Sequence, residues 1–145
     1  DPQVLQVVGR VRSAAYSAGA IALKAAEALQ RSHIAHLGED EAAKAAANLH
    51  AELEVSQSVT VVTGLILEAA TILFDALGAS AARKQVGLDR HWRNARTIAS
   101  HNPRIYHDRI VGDFAVNGTV PAPHGGIGVA VDASGNAAKA GVNSQ

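Results

Sequence analysis

Val59-Thr60-Val61-Val62-Thr63-Gly64-Leu65-Ile66-Leu67-Glu68-Ala69-Ala70-Thr71-Ile72-Leu73-Phe74-Asp75-Ala76-Leu77 is the most apolar run in the chain. Its length would suffice for a helical bilayer span, but Glu68 and Asp75 interrupt it, so a buried helix is the better reading and no membrane role is expected. The run also continues a pattern that starts well before it. Ala42, Ala46, Leu49, Leu53, Ser56, Thr60, Thr63, Leu67, Ala70, Phe74 and Leu77 recur in steps of three and four. Val55, Val59, Val62, Ile66, Ala69 and Leu73 form a second stripe on the same helix. A surface helix needs one apolar stripe; two imply burial on two sides, as in the central member of a bundle or the seam between subunits.

On either side of this helix the chain carries its own boundary signals. Glu39-Asp40-Glu41 places negative charge where a helix begins, and Gly78 follows Leu77 as a helix stop. Upstream, Val4, Val8, Val11, Ala15, Ala18, Ala22, Ala25 and Leu29 alternate steps of four and three, a heptad stripe within a helix from about Gln3 to Ser32. That helix would be roughly 45 Å long, and its alanines would let a partner approach closely. Downstream, Asp89 to about Ser100 reads as a third, shorter helix, and Pro103 opens a fourth that runs to Asn117-Gly118. Because a residue before proline disfavours helical geometry, His101-Asn102 should form a corner with side chains on irregular backbone. The expected architecture is an all-α, antiparallel up-down bundle over residues 1–118, with two long and two shorter helices. Residues 119–145, rich in glycine and small side chains, are expected to be an irregular tail.

Composition narrows the chemistry. Cysteine is absent, which removes disulfides, zinc-cysteine sites and thiol catalysis and is compatible with the reducing cytoplasm, the location expected here. The formal net charge of zero argues against a nucleic-acid binder. Seven of the thirteen basic residues nevertheless fall between 83 and 109 (Arg83, Lys84, Arg90, Arg93, Arg96, Arg104, Arg109), a density suited to an anion. The chain opens on Asp1-Pro2 directly in helical sequence and contains no methionine, so a piece of a longer protein is expected. At 145 residues it is long enough for one modest domain.

His33 and His36 have metal-ligand spacing near a helix end but no supporting carboxylates or cysteines, so solvent-exposed histidines are expected and no metal site. Gly-x-Ser-x-Gly is absent, and Gly125-Gly126-Ile127-Gly128 follows no strand and opens no helix, which removes a phosphate-loop reading. The informative stretch is Gly87-Leu88-Asp89-Arg90-His91-Trp92-Arg93-Asn94-Ala95-Arg96, then Ser100-His101-Asn102-Pro103. Its bland reading is structural: Asp89 and Arg93 pair at i,i+4, Trp92 packs, and the arginines bridge to another domain. Against that, clustered cations, the single tryptophan and a corner histidine suit an anionic or aromatic ligand.

Leu88 to Thr97 with Ser100-His101-Asn102-Pro103, and the later Ile110-Val111-Gly112-Asp113 and Val116-Asn117-Gly118, resembles the C-terminal signature of the dibenzothiophene and sulfone monooxygenase branch of the acyl-CoA dehydrogenase superfamily. The likeness covers about Asp1 to Pro121. It implies a larger subunit with an N-terminal helical domain, a β-barrel and a four-helix bundle, of which this chain would begin at the second bundle helix. An apolar groove should then run along the long helices. It also implies a homotetramer in which Gly78, Ala79 and Ser80 lie near the flavin of a neighbouring subunit, with Ala79 standing where dehydrogenase relatives have glycine.

At the corner those relatives carry a catalytic glutamate followed by glycine; here His101 and Asn102 stand instead. The implied chemistry is oxygen transfer from a C4a-hydroperoxyflavin to a small sulfur-containing or aromatic substrate. Reduced FMN would come from a separate flavin reductase, with His101 catalytic and His101 and Asn102 against the flavin. Imidazole suits such a role because it exchanges protons near neutral pH. Two alternatives stand beside this: a dehydrogenase or oxidase holding FAD, and a helical oligomerisation module without catalysis.

Overall fold

In the computed structural model, which describes residues 1–122, the chain forms four helices: α1 (Pro2–His36), α2 (Glu41–Leu77), α3 (Asp89–His101) and α4 (Arg104–Asn117). A short 3-10 turn, Ala79–Ala82, follows α2. Gly125–Gly128 and most of the expected tail lie outside the described residues.

Local chemistry sets the helix ends. Asp1 caps α1 by accepting from Gln3 N at 2.9 Å, with Pro2 in the first turn, where its missing N–H costs no hydrogen bond. Asp40 caps α2 by accepting from Ala43 N at 3.0 Å, and Glu41 adds negative charge to the same turn. Gly78 ends α2 at φ 71°, donating its N–H to the Phe74 carbonyl. α1 continues past the expected Ser32 to His36, and α3 includes His101. Pro103 serves as the N-cap of α4 rather than its first residue.

α1 and α2 form an antiparallel hairpin. Arg10 pairs with Glu68 at 3.0 Å, Lys24 with Glu54 at 3.2 Å and Ser32 with Asn48 at 3.5 Å, so rising numbers on α1 meet falling numbers on α2. Among the described residues every buried apolar side chain is an alanine: Ala18, Ala25, Ala28, Ala51, Ala69, Ala81 and Ala99. Small side chains bring the helices close, while the larger ones are only partly covered.

The heptad on α1 sits one face away from its expected position. Val7, Val11, Ala14, Ala18, Ile21, Ala25, Ala28, Ser32 and Ala35, with Ser17 beside them, are the covered set, whereas Val4, Val8, Ala15, Ala22 and Leu29 are exposed. Both sets have heptad spacing and share Val11, Ala18 and Ala25, so periodicity alone does not choose between them. The close α1–α2 approach selects the set richer in small residues. Leu29 of the other set, like Leu5 and Leu23 outside it, is left exposed.

The two stripes of α2 are both used. From Leu49 to Phe74 every member of either stripe is at least half-covered, by α1 on one side and by α3 and α4 on the other. Only the ends of the longer stripe, Ala42, Ala46 and Leu77, are exposed. By length and composition α2 is also apolar enough to cross a membrane. Two of its acidic side chains pair with α1, Glu68 with Arg10 and Glu54 with Lys24. α3 and α4 each pack on α2 and hardly on each other.

Candidate active site at the α3–α4 corner

α3 begins after Gly87, whose φ of 64° turns the chain in a conformation that other residues rarely adopt. Ala95 and Ala99 face inward, Ala99 being buried. The outer face carries Trp92, Arg93, Arg96, Thr97, Ser100 and His101, which line a shallow open cleft of about 560 Å³. Asp89 accepts from Arg93 Nε at 3.1 Å, the i,i+4 pair expected from spacing. Of the seven clustered cations, Arg93 and Arg96 share this cleft, while Arg104 reaches towards Gly64 and Arg109 lies over the Tyr106 ring at 5.7 Å. The seven cations therefore do not all line one cleft in this chain.

α3 stops because Asn102 precedes Pro103: Asn102 adopts φ −115°, ψ 94°, and Pro103 φ −60°, ψ 126°, both extended. His101 is the last helical residue, and His101 and Asn102 are both exposed. Ile98, one turn before His101, is 77% exposed, and Ile105, just inside α4, is 65% exposed. The corner thus presents an imidazole and a carboxamide between two uncovered apolar side chains. Such a surface fits a planar aromatic group with a polar edge, which needs apolar contact on its faces and hydrogen-bond partners at its rim.

No carboxylate stands in the corner. Asp108, the nearest acid downstream, accepts from Thr60 Oγ1 at 2.6 Å, and Asp113 accepts from Asn117 and Thr119. Gly78, Ala79 and Ser80 are exposed at the far end of α2. Arg104 lies beside Gly64, and from Gly64 to Gly78 the helix axis advances about 21 Å at 1.5 Å per residue. Within one chain the corner and the 78–80 turn are therefore not brought together.

A buried polar seam joins α4 to α2, and the sequence pattern did not single it out. His107 Nδ1 lies 3.2 Å from Ser56 Oγ, with both residues buried, and His107 Nε2 has no partner among the described residues. The available signal was the set Ser56, Thr60 and Thr63 inside an otherwise apolar stripe. A Ser–His pair enclosed between helices has no access for a substrate, so it joins elements and does no acyl transfer. His33 is exposed, and the His36 ring bonds the Ser32 carbonyl at 2.7 Å near the helix end. Among the described residues no three His, Asp or Glu side chains are grouped to hold a metal.

The family model for the acyl-CoA dehydrogenase C-terminal domain matches residues 8–103, from the first turns of α1 through the corner. The chain belongs to the acyl-CoA dehydrogenase C-terminal domain family. Within that family it is 31% identical to FMN-bound TdsC from Paenibacillus sp. A11-2, with a TM-score of 0.67, over 85% of this chain and 30% of that one. It is 28% identical to the dibenzothiophene monooxygenase of Mycolicibacterium goodii over 85% of this chain and 29% of that protein. Over a shorter stretch it is 43% identical to the protein named Probable FMNH2-dependent monooxygenase SfnC of Pseudomonas putida, covering 35% of this chain and 13% of that protein. The chain spans less than a third of the length of these relatives. The acyl-CoA dehydrogenase C-terminal fold thus accounts for the helical hairpin and the two short helices packed on α2.

Proposed function

We propose that this chain is the C-terminal part of a flavin-dependent monooxygenase that transfers one oxygen atom to a small sulfur-containing or aromatic substrate, using reduced FMN delivered by a separate reductase. The observation that carries the reading is the corner itself: an exposed imidazole and carboxamide at a proline-defined helix break, flanked in sequence by Ile98 and Ile105, with no carboxylate among residues 98–105 where a dehydrogenase would carry its base. Similarity to TdsC with bound FMN and to dibenzothiophene monooxygenases supports the same class.

Bound reduced FMN would supply the activation of dioxygen. The residues of this chain would do the rest. His101 offers a ring N–H and a side chain able to pass a proton, Asn102 offers a carboxamide to the rim of the ring system, and Ile98 and Ile105 exclude water from its surroundings. Gly78, Ala79 and Ser80 stand about 21 Å along α2 from the corner's anchor and would serve the flavin of a neighbouring subunit. The exposed apolar side chains of α1 would be covered by the rest of the subunit and by further subunits of a homotetramer, in the cytoplasm.

The test is His101→Ala in the complete protein, assayed for oxygen transfer with a flavin reductase. Removal of a positioned proton-transfer group should lower turnover at least about 10²-fold. Unchanged turnover would remove His101 from the mechanism.

A further inference from the structure

The corner spans two helices that rest separately on α2, so its shape depends on where each is anchored. α3 is seated through Ala99, two residues before His101. On α4, Ile110, Val111 and Phe114 are partly covered, whereas Ile105 in its first turn and Val116 in its last are largely exposed. Its position along α2 is marked by three contacts at successive turns of one α2 face. Ser56 meets His107, Thr60 meets Asp108, and Gly64 leaves space beside the Arg104 guanidinium.

Of these, Thr60 Oγ1 to Asp108 Oδ1, at 2.6 Å, is the shortest side-chain hydrogen bond between helices among the described residues. Helix hydroxyls ordinarily return to a carbonyl of their own helix, as Ser13, Ser58, Thr71 and Thr97 do here. Thr60 gives up that local partner to donate to a carboxylate, a charge-assisted bond stronger than a neutral one. Asp108 lies four residues, about 6 Å, into α4 from Arg104, close enough for its tether to fix the start of the helix.

We infer that Thr60 and Asp108 are positioning residues for the corner: their hydrogen bond sets where α4 begins on α2 and thereby holds His101 and Asn102 where the flavin can meet them. This rests on the assignment of His101 to the flavin site proposed above. It gives neither Thr60 nor Asp108 any contact with substrate or flavin.

The experiment uses the complete protein with Thr60→Val, which keeps the shape and removes the donor, and with Thr60→Ser, which keeps the donor. Product formed per reduced FMN consumed should fall about tenfold in Thr60→Val, the population weight of one charge-assisted hydrogen bond, and stay near the parent value in Thr60→Ser. Asp108→Asn, which keeps an acceptor without the charge, should lie between them. In flavin-free protein, amide hydrogen exchange over residues 100–106 should rise in Thr60→Val and be restored in Thr60→Ser. In a His101→Ala background Thr60→Val should add no further loss of coupling. Parent-like coupling and exchange in Thr60→Val would overturn the inference, as would a loss that adds fully to that of His101→Ala. If His101→Ala itself leaves coupling unchanged, it is the active-site reading that falls. The exchange measurement then decides the tether alone, with unchanged exchange overturning it.

Discussion

His107 Nδ1 stands 3.2 Å from Ser56 Oγ between α4 and α2, and the other ring nitrogen of His107 is buried without a partner among the described residues. Burying polar atoms costs stability unless they are hydrogen-bonded, so this pair is sensitive to the loss of either member. Ser56→Ala strands the second ring nitrogen too and should destabilise the protein by about 1–3 kcal/mol. Ser56→Ala combined with His107→Leu removes both polar groups and should lose less than the sum of the single changes. A double-mutant cycle from urea unfolding reads the difference, and strict additivity would mean that the two side chains do not interact.

The register of the α1–α2 hairpin makes a second prediction. Ala28 is 0% exposed at the seam, while Leu29, its sequence neighbour, is 53% exposed. Ala28→Leu has to push the helices apart and should cost about 1–3 kcal/mol. Leu29→Ala in the same 145-residue chain should cost well under that. Thermal melts of the two variants check the order, and a reversed order would restore the stripe through Leu29 as the packing face.

Gly78 and Gly118 share φ 71° but differ in ψ, at 175° and 15°. The Gly118 geometry is left-handed helical, which asparagine visits readily, whereas the Gly78 geometry is almost confined to glycine. A Cβ at either position would meet nothing within 4 Å, so any penalty comes from backbone conformation and not from collision. Gly118→Asn should be nearly neutral and Gly78→Asn should lower stability by about 1–3 kcal/mol. Calorimetry of both variants measures the gap; equal effects would contradict the conformational account.

The two hairpin ion pairs should contribute unequally. Arg10 and Glu68 are both more than half exposed, and such pairs are worth about 0–1 kcal/mol because water and salt screen them. Glu54 is only 14% exposed and faces both Lys24 at 3.2 Å and His50 at 3.9 Å. Glu54→Gln should therefore lower the melting temperature more than Glu68→Gln, and raising the salt concentration should erase more of the Glu68 effect. Indistinguishable melting curves for the two variants would show that burial of Glu54 adds nothing to its pairing.

Much of this architecture is local and so was readable along the chain. Asp1, Asp40, Gly78 and Gly118 mark helix ends through their own caps and dihedral angles, and the Asn102-Pro103 bond breaks the helix by steric clash between adjacent residues. Two full stripes on α2 announced burial on both sides because helical periodicity depends only on spacing along one chain. The family resemblance was carried by short runs along the chain: Leu88 to Pro103 on α3 and the corner, and Ile110 to Asp113 with Val116 to Gly118 on α4 and its cap.

Relations between segments distant in sequence had to wait for the packed molecule. Sequence spacing offered two equivalent heptads on α1, and the choice between them came from how closely α2 approaches. The pairing of Thr60 with Asp108 and of Ser56 with His107 could not be foreseen, because a hydroxyl in a helix bonds its own backbone equally well until a partner helix is placed beside it. The separation of the corner from Gly78, Ala79 and Ser80 follows from the rigid length of α2, since a continuous helix holds residues fourteen apart about 21 Å apart whatever their chemistry.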